Sequence, residues 1–209
     1  MSVAIVDTSA SRHSSLTRLA HGALALAVIA QLASSQFMMP EEPGKVANGA
    51  FEVHEYGGLA AFAFMLLFWV ALTTRQYGTA PGTLFPWFSG ERLSALWADT
   101  KSHVASLVRL KVPPYEPASP FAGAIHGLGL VIITLMAASG TLYYFVNAGD
   151  PDGGGLVALA MTVHRTFGNL AWAYLILHAA TAVVYHFASD MSLRDMWSVG
   201  GKARAEDKQ

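Results

Sequence analysis

Charged residues are spread unevenly along this chain, and the gaps between them organise it. Leu19 to Pro40 holds no Asp, Glu, Lys or Arg over 22 positions, Tyr56 to Thr74 none over 19, Pro117 to Gly149 none over 33, and Thr166 to Ser189 none over 24. A hydrocarbon core of about 30 Å is crossed by roughly 20 helical residues. Each gap therefore predicts a membrane-spanning helix, the third at about Phe121 to Phe145 with loop on either side. The first gap, with Arg12 and Arg18 ahead of it and Leu32-Ala33-Ser34-Ser35 near its end, also has features of a cleavable signal. Its apolar run is too long for one, and its removal would leave three spans with a mismatched charge pattern. The expected fold is an all-α integral membrane four-helix bundle over residues 17-190, with an arm at 1-16 and a tail at 191-209.

The connection at about 75-120 has a different texture. Pro81, Pro86, Pro113, Pro114, Pro117 and Pro120 bracket a stretch in which Leu93, Leu96, Trp97, Val104, Leu107 and Val108 share one helical face. Arg92, Asp99, Lys101 and Arg109 lie mostly elsewhere. This predicts an additional amphipathic helix along the inner membrane surface, or one packed on another subunit.

Basic residues set the orientation. Arg12, Arg18, Arg75, Arg92, Lys101, Arg109, Lys111, Arg194, Lys202, Arg204 and Lys208 fall on one side, while only Lys45 and Arg165 fall on the other. Both termini are expected on the cytoplasmic side. Glu41, Glu42, Glu52, Glu55, Asp150 and Asp152 then make the outer face acidic.

Composition narrows the chemistry. With 13% charged residues and 53% hydrophobic residues, the chain is poorly suited to an aqueous surface. A net charge of −1 gives no footprint for nucleic acid. Zero cysteines exclude disulfides, thiolate metal sites, iron–sulfur clusters and thioether-attached haem. Any metal must rely chiefly on the 8 histidines. His13 lies in the arm and His103 on the amphipathic stretch, so neither is read as a ligand. The other six are within or at the ends of the spans, where an ionisable side chain usually faces the protein interior or a site.

Their depths are informative. His164 and His178 are 14 residues apart on one helix, which puts both on one face and roughly 21 Å apart. His54 lies at the outer end of the second span and His21 near the inner end of the first. Two levels result, His54 with His164 outside and His21 with His178 inside. Paired imidazoles at two levels of a bundle suit two six-coordinate b-type haems. Gly58, Gly168, Ala25 and Ala182 each follow one of these histidines by four residues, where a flat macrocycle needs room. Close helix packing would favour the same small residues.

Taken together, the chain resembles the prokaryotic cytochrome b561 family, four-helix dihaem b-type cytochromes of bacteria. The resemblance runs from near Thr17 to Trp197. It is strongest in Val163-His164-Arg165-Thr166-Phe167-Gly168-Asn169-Leu170 and Leu177-His178-Ala179-Ala180, and weaker in Arg18-Leu19-Ala20-His21 and Val53-His54-Glu55-Tyr56-Gly57-Gly58. It implies that the four matching histidines are haem axial ligands in the pairing above. It also implies electron transfer between the membrane quinone pool and a partner or small redox molecule at the outer face. The long inner connection, with Leu84-Phe85-Pro86-Trp87-Phe88, exceeds that of the smallest members. Larger relatives anchor dehydrogenases or hydrogenases, so a periplasmic redox partner or dehydrogenase subunit is expected.

Further candidates surround this centre. Arg165 adjoins a predicted ligand and could pair with a haem propionate, or anchor the helix at the interface. His126, which resembles a non-ligand family histidine, and His186 are candidates for quinone or propionate contact. His126, His186 or Asp190 inside, or Glu55 outside, could handle quinone protons. Trp69, Trp87, Trp172 and Tyr174 are read as belt or core residues. The resemblance also admits a stand-alone superoxide:quinone oxidoreductase, against which the acidic outer loops argue. A histidine-lined transporter for a divalent metal or protons is a reading of another class; the uncharged spans offer it little.

Overall fold

The computed structural model describes residues 13–41, 44–75, 79–147, 153–189 and 191–197. Among them lie helices α1 (Ser15–Ser35), α2 (Gly49–Thr74), α3 (Pro81–Leu84), α4 (Gly90–Val108), α5 (Pro120–Val146), α6 (Leu156–Ala188) and α7 (Arg194–Trp197), with a 3₁₀ turn at Pro86–Phe88. Four of these, α1, α2, α5 and α6, are long and apolar enough to cross a membrane. The all-α membrane bundle expected from the charge gaps is the fold.

Three of the spans, α1, α2 and α6, begin earlier than their charge-free gaps do, because capping chemistry and turns set helix ends. Ser14 Oγ accepts from the Thr17 amide at 3.1 Å and starts α1. Asn48 Oδ1 accepts from Phe51 N at 3.0 Å and starts α2, so Glu52 and Glu55 stand in its opening turns. The same Asn48 accepts from Met39 N and donates to the Phe37 carbonyl, tying down the end of the α1–α2 connection. Ser119 caps α5 with Pro120 at its first position. Gly155, at φ +65°, turns the chain into α6, ten residues before the predicted Thr166. At 33 residues α6 is about 50 Å long, so His164 lies more than two turns inside it.

α1 packs chiefly along α2 and α5 along α6; α2 against α5 joins the two hairpins. Leu32, Met65, Leu72, Leu130, Ile132, Ile133 and Ala171 form the shared core, with Met65 fully buried. The Trp69 indole N–H donates to Thr134 Oγ1 at 3.1 Å across the α2–α5 seam. Near the α3 end of the bundle, α5 approaches its neighbours through glycine. A Cβ on Gly127 would run into the Leu84 carbonyl, one on Gly123 into Thr83, and one on Gly129 into the Tyr174 ring. The short helix α3 is thus seated backbone to backbone on α5, and Phe85 behind it stacks on Trp69 at 5.8 Å and 12°.

The predicted amphipathic helix is α4, and it docks on the bundle by a face other than its apolar one. Asp99, grouped by its charge with residues away from the apolar face, is the attachment point. Its carboxylate accepts from the Ser119 hydroxyl at 2.6 Å and from the Phe121 amide at 3.0 Å, with His103 Nδ1 3.0 Å away. Burial pushes the Asp99 carboxyl up, but the bonds from Ser119 and Phe121, helped by His103, outweigh it and hold it below its ordinary value. Leu96, Asp99 and His103 face the bundle half-buried, whereas Leu93, Trp97, Val104, Leu107 and Val108 remain exposed. A helix docked by one polar edge with its apolar face turned aside has the shape of an interfacial helix beside a bundle.

Candidate cofactor site

Three of the four spans, α1, α2 and α6, supply two histidine pairs. His54 on α2 and His164 on α6 have ring centroids 6.1 Å apart and planes at 87°. His21 on α1 and His178 on α6 are 6.4 Å apart at 57°. A metal bonded to one nitrogen of each ring at about 2 Å requires ring centres roughly 6 Å apart, once ring size is added on both sides. Both pairs meet that distance. His126 lies edge-on to His178 at 5.2 Å, too close for a metal between those two rings.

The pairs are held differently. At the His54–His164 level each imidazole is tied to a neighbouring helix by the same device. His54 Nδ1 lies 3.1 Å from the Gln31 carbonyl and 3.2 Å from Ser34 Oγ. His164 Nδ1 lies 3.0 Å from the Met136 carbonyl and 3.2 Å from Ser139 Oγ. In both cases the serine sits three residues after the carbonyl. A carbonyl only accepts, so Nδ1 carries the proton and Nε2 keeps its lone pair for a metal. Gly140 allows His164 this approach, since a Cβ there would lie 3.0 Å from its Cε1.

At the other level, ring contacts dominate. Tyr174 stacks on His178 at 5.4 Å and 16°, and Trp197 of α7 meets His21 edge-on at 5.8 Å. Among the described residues, the buried His21 Nδ1 has no hydrogen-bond partner.

Among the described residues, no group of three or more His, Cys, Asp or Glu side chains is placed to hold a bare ion. Two imidazoles per level instead suit a metal that brings its own equatorial nitrogens, as a haem does. The small residues bear on this unequally. A Cβ on Gly168 would meet nothing within 4 Å, which leaves the space expected beside His164. Gly58 departs from its expected part: with Gly57 it receives the Gln31 side-chain amide, so its missing Cβ serves helix packing.

The remaining candidates scatter. Arg165 is exposed beside His164, and Glu55 is half-buried beside His54. His126 is exposed at the His178 level. The structure turns His186 toward the Met191 carbonyl, 3.3 Å from its Nδ1. Asp190 lies outside the described residues, as do Arg12, Glu42, Asp150, Asp152, Lys202, Arg204 and Lys208. Sequence reasoning missed Ser34 and Ser139 as partners of the histidines; each is one of several hydroxyls in its span, and only the packing shows that these two are buried beside an imidazole.

The family model for prokaryotic cytochrome b561 matches residues 12–199. Neither the curated proteins nor the solved structures contain a match to the chain. The family match covers nearly the whole sequence, and the chain belongs to the prokaryotic cytochrome b561 family.

Proposed function

We propose that this membrane b-type cytochrome carries two haem b groups and passes electrons across the membrane between quinone and a redox partner on the opposite face. The observation that carries the reading is the pair of histidine spacings, 6.1 and 6.4 Å, at two levels of one bundle. His54 and His164 would ligate one iron, and His21 and His178 the other. Bound haem supplies a reversible one-electron couple; the protein's part is ligation, burial and local charge. Ser34, Ser139 and the carbonyls of Gln31 and Met136 orient the first pair of ligands.

The end bearing His21, α3 and α4 faces the cytoplasm in this reading, since Arg75, Arg92, Lys101, Arg109 and Lys111 gather in that connection. Quinone is placed at the same end, with the exposed His126 as the group that exchanges protons with it. Arg165, beside the other pair, is assigned to a propionate. Glu41, Glu52 and Glu55 make the His54 end acidic and favour a basic redox protein there.

Haem content and the reduced-minus-oxidised spectrum of the detergent-purified chain test the reading. Two non-covalent, low-spin b haems per chain are expected; none, under adequate haem supply, would overturn it. Partner choice is read from kinetics. A reduction rate that falls steeply with salt fits a docked protein, whereas a salt-insensitive rate with superoxide would replace the partner by superoxide itself.

A further inference from the structure

We infer that the end of α4 is a binding site for anionic phospholipid. Leu107, Val108 and Leu110 enter the acyl layer, and Lys101, Arg109 and Lys111 take the headgroup phosphates. The inference goes beyond electron transfer and needs only the four spans, whatever the haem content.

Depth comes first. Asp99, in the middle of α4, accepts from Ser119 and Phe121, the cap and the second residue of the span α5. A helix tied there lies at the level where that span leaves the membrane. Its two faces are set for such a position. Leu96, Asp99 and His103 face the bundle, and Leu93, Trp97, Val104, Leu107 and Val108 lie roughly 100° further round the helix. A helix resting on a bilayer beside a bundle needs that offset, with one face sideways on protein and one in lipid. Trp97 is of the residue type that favours the headgroup level.

The last turn is a second, independent observation. Arg109 caps α4, and the amides of Leu110 and Lys111 donate to the carbonyls of Leu107 and Ser106 at 2.9 and 3.0 Å. This is the double hydrogen bond with which helices commonly end on a left-handed glycine. Here Leu110 fills the left-handed position, at φ +55°, and among the described residues no other non-glycine has a positive φ. A leucine in glycine's place is strained, and at 95% exposure it gains almost no contact within the chain. Strain of this kind persists at binding positions, and an acyl layer is the surrounding that rewards a leucine side chain.

Charge selects the occupant. From Lys101 to Val112 the chain has three basic residues and no acidic one. Lys101, Arg109 and Lys111 are exposed, and the last two bracket Leu110. Each such side chain beside an anionic bilayer surface contributes about fivefold in affinity. A second copy of this chain would set the same basic segment against itself across a two-fold axis. A phospholipid supplies both halves at once, acyl chain for the leucines and phosphate for the cations.

Because the chain has no cysteine, Leu110→Cys carries a single nitroxide in the full chain, reconstituted into phosphatidylcholine bilayers containing phosphatidylglycerol. Power-saturation EPR should find this label open to oxygen and shielded from a water-soluble nickel chelate. A label at Ala98→Cys, on the exposed polar face, should meet the chelate. Equal chelate access at both positions would overturn the inference. So would shielding of the Leu110→Cys label from both reagents, the mark of a face covered by protein. Phosphatidylglycerol retained through detergent exchange, counted by mass spectrometry, should fall about fivefold with Arg109→Gln and again with Lys111→Gln. Unchanged retention in the double variant, or equal retention of phosphatidylcholine by the parent, would overturn the headgroup assignment. Leu110→Gly relieves the strain, so it should melt no earlier than the parent and yet retain less phosphatidylglycerol; parent-like retention would remove Leu110 from the site.

Discussion

α5 and α6 are neighbours of similar composition, yet they are built for different tasks. In α5, 39% of the apolar window is buried; in α6 only 6% is. α5 spends its small residues on contact: Gly123 and Gly127 receive α3, and Gly129 receives Tyr174. α6 carries His164 and His178, and Gly168 faces open space. A helix that packs protein on protein gains from dispersion along its whole length. A helix that holds a large planar ligand must leave protein contacts unmade. On the two-haem reading proposed above, low burial in α6 is the counterpart of its two histidines.

The sharpest way to break this comparison is to remove the histidines of α6. His164→Ala and His178→Ala should each cost one of the two haems, and together both, as read by pyridine haemochrome assay per chain. Loss of both haems from either single variant would deny the two levels their independence. On the α5 side, Gly129→Leu drives a side chain into the Tyr174 ring, and overpacking of this kind destabilises by about 1–3 kcal/mol. Thermal melting in detergent should show it, and an unchanged melt would mean that α5 has slack.

A smaller effect is expected where α5 is tied to α4. Asp99→Ala leaves the Ser119 hydroxyl and the Phe121 amide without their acceptor, a loss of about 1–3 kcal/mol at a fully buried site and less here, where the carboxylate is 15% exposed. Hydrogen exchange at the start of α5 should quicken. The carboxyl is held below its ordinary value, so the tie is complete above the unfolded carboxylate range and lost as pH falls through the folded value. Acid should thus loosen α4 in the parent chain and leave Asp99→Ala indifferent. The smallest effect belongs to α6: Ile176, 58% exposed, should accept Ala within about 0.5 kcal/mol. A large loss there would show that α6 packs on protein after all.

How much of this was legible in the sequence follows from what periodicity can carry. Charge-free runs located all four spans, because membrane solvation acts on every residue of a span. The His164–His178 spacing could be read because both sit on one rigid helix. The pairing of His54 with His164 followed from depth alone. What escaped depends on rotation between helices, for which a single sequence has no period. The carbonyls of Gln31 and Met136 look like any other backbone group until neighbouring helices are placed. The partners of Asp99 escaped for a related reason: its place off the apolar face could be read, but the donors it accepts from lie at the start of the next helix. Gly58 was assigned space that Gln31 already fills.

The seat of α3 on α5 has a metrical consequence. The Leu84 carbonyl meets Gly127 backbone to backbone, and Thr83 meets Gly123 through its methyl and its carbonyl, which leaves little room to absorb a slide. A slip of α5 by one helical turn, about 5.4 Å, would carry the Met136 carbonyl, further along the same rod, away from His164. The short connection helix thus serves as a gauge block: it fixes a length at one face of the bundle, and that length is read out as the alignment of the His164 imidazole nearer the other.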